Sequence, residues 1–206
     1  MVCPITGGEC KCTMKEQLRK LFTEHAVYTK FFIESKLTSL PDLDVITNRL
    51  LRNQKDIGDF IKPIVGENNG NMATKLLQEH ILAAAGAVEA VKDGNTDKIN
   101  NAINKVFANS KQVAQFLSSL NPEKLPFDAV LKMFNEHNQH VIDMAIAHSQ
   151  NKFDEEIKHY DSYYTHMLAL SDTLHAALEP AKTNRKLIFI IIFVVLIVIA
   201  KMKLNK

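Results

Sequence analysis

One short string occurs three times in this chain. It reads Lys20-Leu21-Phe22-Thr23-Glu24-His25, then Lys75-Leu76-Leu77-Gln78-Glu79-His80, then Lys132-Met133-Phe134-Asn135-Glu136-His137, with the histidines 55 and 57 residues apart. Further sets follow in register: Asn48, Asn104 and Asp161; Asn53, Asn109 and His166; Ile57, Val113 and Leu170; Gly58, Ala114 and Ser171. A period of this size marks a supersecondary unit that buries its apolar face against copies of itself. The chain is therefore expected to fold as three related units, and the small fourth set predicts close helix approach.

Each unit reads as a helical hairpin. Apolar residues recur at three- and four-residue steps, as in Leu18, Leu21, Phe22, Tyr28 and Phe32, and no stretch of residues 13–180 alternates as a half-buried strand does. The first helix is predicted from Met14 to Ser39. The second opens at Pro41-Asp42 and runs to about Ile61, stopped by Pro63 and Gly66. The third runs from Met72 to Lys92 and ends at Asp93-Gly94. Thr96-Asp97 caps a fourth, which reaches Leu120 before Asn121-Pro122. A fifth follows Pro126 to about Asn151, and a sixth spans Phe153 to Leu178 before Pro180. The expected architecture is all-α: a flexible tail over residues 1–13, a six-helix bundle of three repeated hairpins over 14–180, and one C-terminal transmembrane helix over 185–204.

The membrane segment is the run Leu187 to Ala200, fourteen residues without a polar side chain. At 1.5 Å per residue it spans about 21 Å, short of a hydrocarbon core of roughly 30 Å. Apolar all round, it offers no face suited to water. Arg185-Lys186 precede it and Lys201 and Lys203 follow. Snorkelling lysine stems extend the span to Leu204, about 27 Å, which suits a thin internal membrane. With no signal-like apolar run at the start, the expectation is a tail-anchored, single-pass protein that contacts the lipid bilayer through residues 187–204, its bundle facing the cytosol. Bases flank both ends, so the positive-inside rule does not set the orientation.

The net charge of +2 hides an asymmetry. Five bases and no acid lie in residues 185–206, which leaves 20 bases against 23 acids before them. A mildly acidic domain without a basic stripe is no nucleic-acid binder. Cys3, Cys10 and Cys12 all fall at one end, which is no disulfide framework. Their C-x6-C-x-C spacing lacks a fourth metal ligand nearby, and a flexible tail is the simpler reading.

Chemistry concentrates in the repeats. His25, His80 and His137 fall on the apolar stripes of their helices, and Asn53 and Asn109 on those of theirs, with Asp56 one turn after Asn53. Buried unpaired, each group costs roughly 1–3 kcal/mol, so partners are required. Two solutions stand. In one, each histidine bonds to its hairpin neighbour (Asn53, Asn109 or His166) in a polar layer that fixes register. In the other, the three imidazoles hold a transition metal such as zinc or iron, with Asp56 or Asp161, or else Asn53, Asn109 or His166, as a further ligand or as the acceptor for an imidazole N–H. His140 could join such a site. His148, His159 and His175 read as surface or packing residues, and Tyr160, Tyr163 and Tyr164 as core. Glu24, Glu79 and Glu136 lie about 100° round the helix from the histidines and face solvent. No nucleophile sits in a readable catalytic motif.

Leu18-Arg19, His25, Arg49-Leu50-Leu51, Asn53-Gln54, Asp56-Ile57-Gly58, His80-Ile81, Phe116-Leu117-Ser118, Asn121-Pro122 and Tyr160-Asp161 resemble a family of small helical proteins from bacteria with relatives in large DNA viruses. The resemblance covers roughly residues 15–178; it implies a helical fold and a viral or host internal membrane, and no established activity. Some bacterial members are labelled acetylglutamate kinase. That label has no support here, because Gly66-Glu67-Asn68-Asn69-Gly70 does not match a phosphate loop and no strand leads into it. The expectation is a non-enzymatic scaffold or interaction module. A metal-binding bundle with redox or hydrolytic chemistry is the alternative.

Overall fold

A computed structural model describes residues 12–179 and contains six helices and, among those residues, no strand. They are α1 (Met14–Thr38), α2 (Leu43–Val65), α3 (Glu67–Asp93), α4 (Thr96–Leu120), α5 (Phe127–Ser149) and α6 (Phe153–Leu178). Both the expected tail and the expected membrane helix lie outside the described residues, apart from exposed Cys12 and Thr13. Among the described residues, no helix is long and apolar enough to cross a membrane.

The ends of the helices follow local chemistry. Thr13 and Glu16 form a reciprocal capping box at the start of α1, and Ser39 closes it in the left-handed region at φ 58. The cap of α4 is Asn95, whose side chain accepts from Lys98 N, rather than Thr96-Asp97. The largest departure from expectation is at the α2–α3 join. α2 carries Pro63 in its last turn and continues to Val65, and α3 starts at Glu67 rather than Met72. Gly66 alone separates them, at φ 89, a conformation that costs glycine little and other residues more.

Gly70 therefore lies inside α3, and it faces Gly58 on α2. A Cβ added at Gly58 would stand 1.9 Å from Thr74 Oγ1 and 2.7 Å from the Gly70 carbonyl oxygen; one added at Gly70 would stand 2.9 Å from the Gly58 carbonyl oxygen. The two backbones touch where neither helix has a side chain. At the equivalent places, Ala114 and Ser171 are fully buried.

Helix packing arranges the hairpins around an axis. Each helix packs on the next in sequence and α6 closes on α1, while α1, α3 and α5 also touch one another. The odd-numbered helices thus form an inner trio with the even-numbered ones set between them. Each hairpin holds the same bond: Asn53 Nδ2 donates to Leu21 O (3.0 Å), Asn109 Nδ2 to Leu76 O (3.3 Å), and His166 Nε2 to Met133 O (3.0 Å). Each accepting carbonyl lies four residues before the histidine of its signature. The lysine and glutamate of the signature pair along each helix surface, Lys20–Glu24 at 3.7 Å, Lys75–Glu79 at 3.9 Å and Lys132–Glu136 at 3.8 Å. Such pairs contribute a few tenths of a kcal/mol; Glu79 and Glu136 face solvent as expected, whereas Glu24 is half-buried and also accepts from Arg49 on α2 at 2.9 Å.

Candidate functional site: a histidine layer on the bundle axis

Because the inner helices repeat the same register, their histidines arrive at one level. His25, His80 and His137 are each 5% exposed or less. The His137 ring centroid lies 5.6 Å from that of His25 and 5.6 Å from that of His80. Tyr163 abuts the layer, its ring 5.2 Å from His137, and its hydroxyl donates to Thr29 Oγ1 at 3.3 Å.

The outer edges of two rings are engaged by the even helices. His80 Nδ1 lies 2.8 Å from Asn109 Oδ1. Gln54 Nε2 lies 2.9 Å from His25 Nδ1 and also 3.1 Å from both Leu50 O and Asn53 Oδ1. Two ring nitrogens of the layer are unsatisfied: His80 Nε2 and His137 Nδ1 are buried without a partner. Each such atom costs roughly 1–3 kcal/mol.

Burial keeps the layer neutral. Desolvation pushes the His25 imidazole down to about 3, the neighbouring charge of His80 adds to this, and a hydrogen bond with Asn53 opposes it. Desolvation also lowers His80, opposed by the Asn109 amide at Nδ1 and more weakly by Asn138, which neighbours the ring without satisfying Nε2, and lowers His137 well below its ordinary value with help from His80 and His25. Neutral imidazoles offer lone pairs rather than positive charge.

The layer sits between two cavities. One, about 30 Å³, is lined by all three histidines, Tyr163 and apolar side chains. It lies against α3 where Ala84 and Ala87 stand in place of Thr29 and Phe32 on α1 and of Val141 and Met144 on α5. The other, about 60 Å³, is walled by the repeated positions Phe22, Leu77, Phe134, Ile57, Val113 and Leu170.

Other residues with an expected role at the site lie elsewhere. Asp56 is half-buried beside Arg49 and Arg52, at 3.8 Å from each, and Asp161 is exposed. Neither carboxylate reaches the layer, because each falls on the outward side of an outer helix. Asn53, Asn109 and His166 clamp the inner helices. His166 lies 6.3 Å from His137 between ring centroids and His140 lies 5.6 Å from His166, so these half-buried rings lead outward from the layer. Among the described residues, no three His, Cys, Asp or Glu side chains already stand in a metal-ligating arrangement.

Gln54, Asn138 and Thr29 around the layer carry no repeated signature and escape a reading by repeats. So does a buried ion cluster near the Thr29 end. Glu156, 2% exposed, pairs with Lys30 at 2.8 Å and His148 at 3.0 Å, and Lys30 also pairs with Glu34. A first-turn glutamate looks like dipole complementation in sequence.

No family model, curated protein or solved structure matches this chain.

Proposed function

We propose that this chain is a tail-anchored helical bundle that works as an interaction module at a membrane surface, on the cytosolic side of an internal membrane. The observation that carries the reading is the uncharged apolar run Leu187–Ala200 between Arg185-Lys186 and Lys201, Lys203, which follows α6 after only residues 179–186. The local structure of α6 supports a defined exit. Asn121 Nδ2 donates to Ala177 O at 2.9 Å and Lys124 Nζ to Ala176 O at 2.7 Å, so the α4–α5 loop holds the last turn. The bundle end with Gly66 and this loop then faces the bilayer. The opposite end carries exposed apolar side chains, Leu40, Val45 at 72% and Phe153, where a protein partner would dock.

The test is fractionation. The full chain should pellet with membranes and resist carbonate extraction, and protease added outside intact vesicles should degrade the bundle. A chain lacking residues 185–206 should move to the supernatant with its helical circular dichroism unchanged. If the truncated chain stays membrane-bound after carbonate, the reading fails.

A further inference from the structure

We propose that His25, His80 and His137 bind one transition-metal cation on the bundle axis, a role that goes beyond the tether and does not depend on it. Four observations converge. The three rings share one level, with 5.6 Å between adjacent centroids. His80 Nε2 and His137 Nδ1 are buried and unpartnered, and such atoms in native proteins generally have a complement. The outer nitrogen of His80 is held by Asn109 Oδ1, the arrangement that orients metal-bound imidazoles through their second nitrogen. Finally, the adjoining cavity of about 30 Å³ has room for a water beside the ion.

The ligands would be Nε2 of His80, Nδ1 of His137 and Nε2 of His25, whose Nδ1 is already engaged by Gln54. Loading moves the His25 proton to Nδ1, which requires the Gln54 amide to turn so that its oxygen, not its nitrogen, faces that atom. His80 stays held by Asn109, and the His25 and His137 imidazoles must turn to bring their nitrogens to its Nε2, since the three are not at ligating geometry beforehand. A water or hydroxide in the cavity completes a four-coordinate site of three nitrogens and one oxygen. Imidazole donors select the zinc, copper and nickel class over magnesium or calcium. With no carboxylate in the layer, a hydroxide is the only partner that lowers the buried charge, so affinity should rise with pH. His166 and His140 supply a route inward for the ion.

The experiment uses the full chain in detergent with Cys3, Cys10 and Cys12 changed to serine, stripped with chelator and titrated with Zn(II). The expected result is one zinc per chain, a zinc-dependent rise in melting temperature, and ¹⁵N imidazole shifts confined to the three histidines. H80Q and H137Q should each weaken zinc by at least about ten-fold, and N109A by about 10–100-fold, while H175Q binds as the parent does. If either glutamine variant does not fold, the imidazole shifts of the parent decide the matter alone. Absence of binding, or zinc that leaves these imidazole signals unmoved, overturns the proposal.

Discussion

The Asn109 side chain bridges His80 and the backbone of the same inner helix, and this fixes the proton on the histidine. Its amide nitrogen lies 3.3 Å from Leu76 O, an atom that only accepts, so the amide oxygen must face His80 Nδ1 at 2.8 Å. Neutral His80 is therefore protonated at Nδ1 and carries its lone pair at Nε2, the buried atom without a partner. A single asparagine on an outer helix thus sets both the height of an inner helix and the chemistry its histidine presents.

That relationship predicts the behaviour of two substitutions. N109A removes the bond to Leu76 O and strands the His80 donor, and should cost about 1–3 kcal/mol in urea unfolding followed by circular dichroism. N109H places at this position the side chain that the third hairpin uses, where His166 donates to Met133 O. It should recover part of that loss. An N109H protein less stable than N109A would show that the three clamps are not interchangeable.

The α2–α3 crossing gives a second prediction. A methyl at Gly58 meets the Gly70 carbonyl oxygen and Thr74, and backbone cannot move aside as a side-chain tip can. G58A should destabilise by about 1–3 kcal/mol, the usual cost of overpacking, even though alanine is the better helix former. G86A, in the same helix with open space around its Cβ, should be neutral or stabilising by up to about 1 kcal/mol. Thermal melting temperatures should therefore fall for G58A and hold or rise for G86A.

Helix period and repeats locate the six helices and bring His25, His80 and His137 to one axis, because both properties follow from side-chain spacing alone. Spacing also gives the clamping positions 53, 109 and 166. It does not show where α3 begins, since Asn68, Asn69 and Gly70 read as a loop until Gly58 is known to pack against Gly70. Asp56 and Asp161 look inward by register. Arg49 and Arg52 beside Asp56 are visible in the sequence, but which side of α2 faces solvent is set by its two neighbours. Glu156 is the clearest miss: its partner Lys30 is remote in sequence, and only the closure of α6 on α1 joins them.

That buried pair yields a third prediction. E156L leaves the Lys30 ammonium, 11% exposed, with only half-exposed Glu34 to balance it, and should cost about 3–5 kcal/mol. Changing both residues, as K30M/E156L, removes the stranded charge and should be less damaging than E156L alone. A double variant at least as unstable as the sum of the singles would mean that the pair matters through packing and not through charge.

Acid should unfold this bundle through its histidines before its carboxylates. In the unfolded chain an imidazole titrates near 6.5, whereas folded His25 titrates at about 3 and burial lowers His80 and His137 as well. The unfolded state therefore binds more protons between these limits, so the layer contributes its full stability above about pH 6.5 and loses it as pH falls. Each histidine adds a slope of up to about 1.4 kcal/mol per pH unit through this window. The carboxylates act lower. Asp172, held down to about 2 by Arg19, contributes above its unfolded value of 3.8 and loses that support only as pH drops below it. Urea midpoints measured from pH 7.5 to 2 should accordingly fall in two stages, the first beginning near 6.5 and the second below about 3.8. Replacing the three histidines with glutamine should remove most of the first stage, leaving the part due to half-buried His166, and spare the second. A midpoint that stays level from pH 6.5 to 5 in the parent chain would show that the imidazoles are not held neutral on the axis.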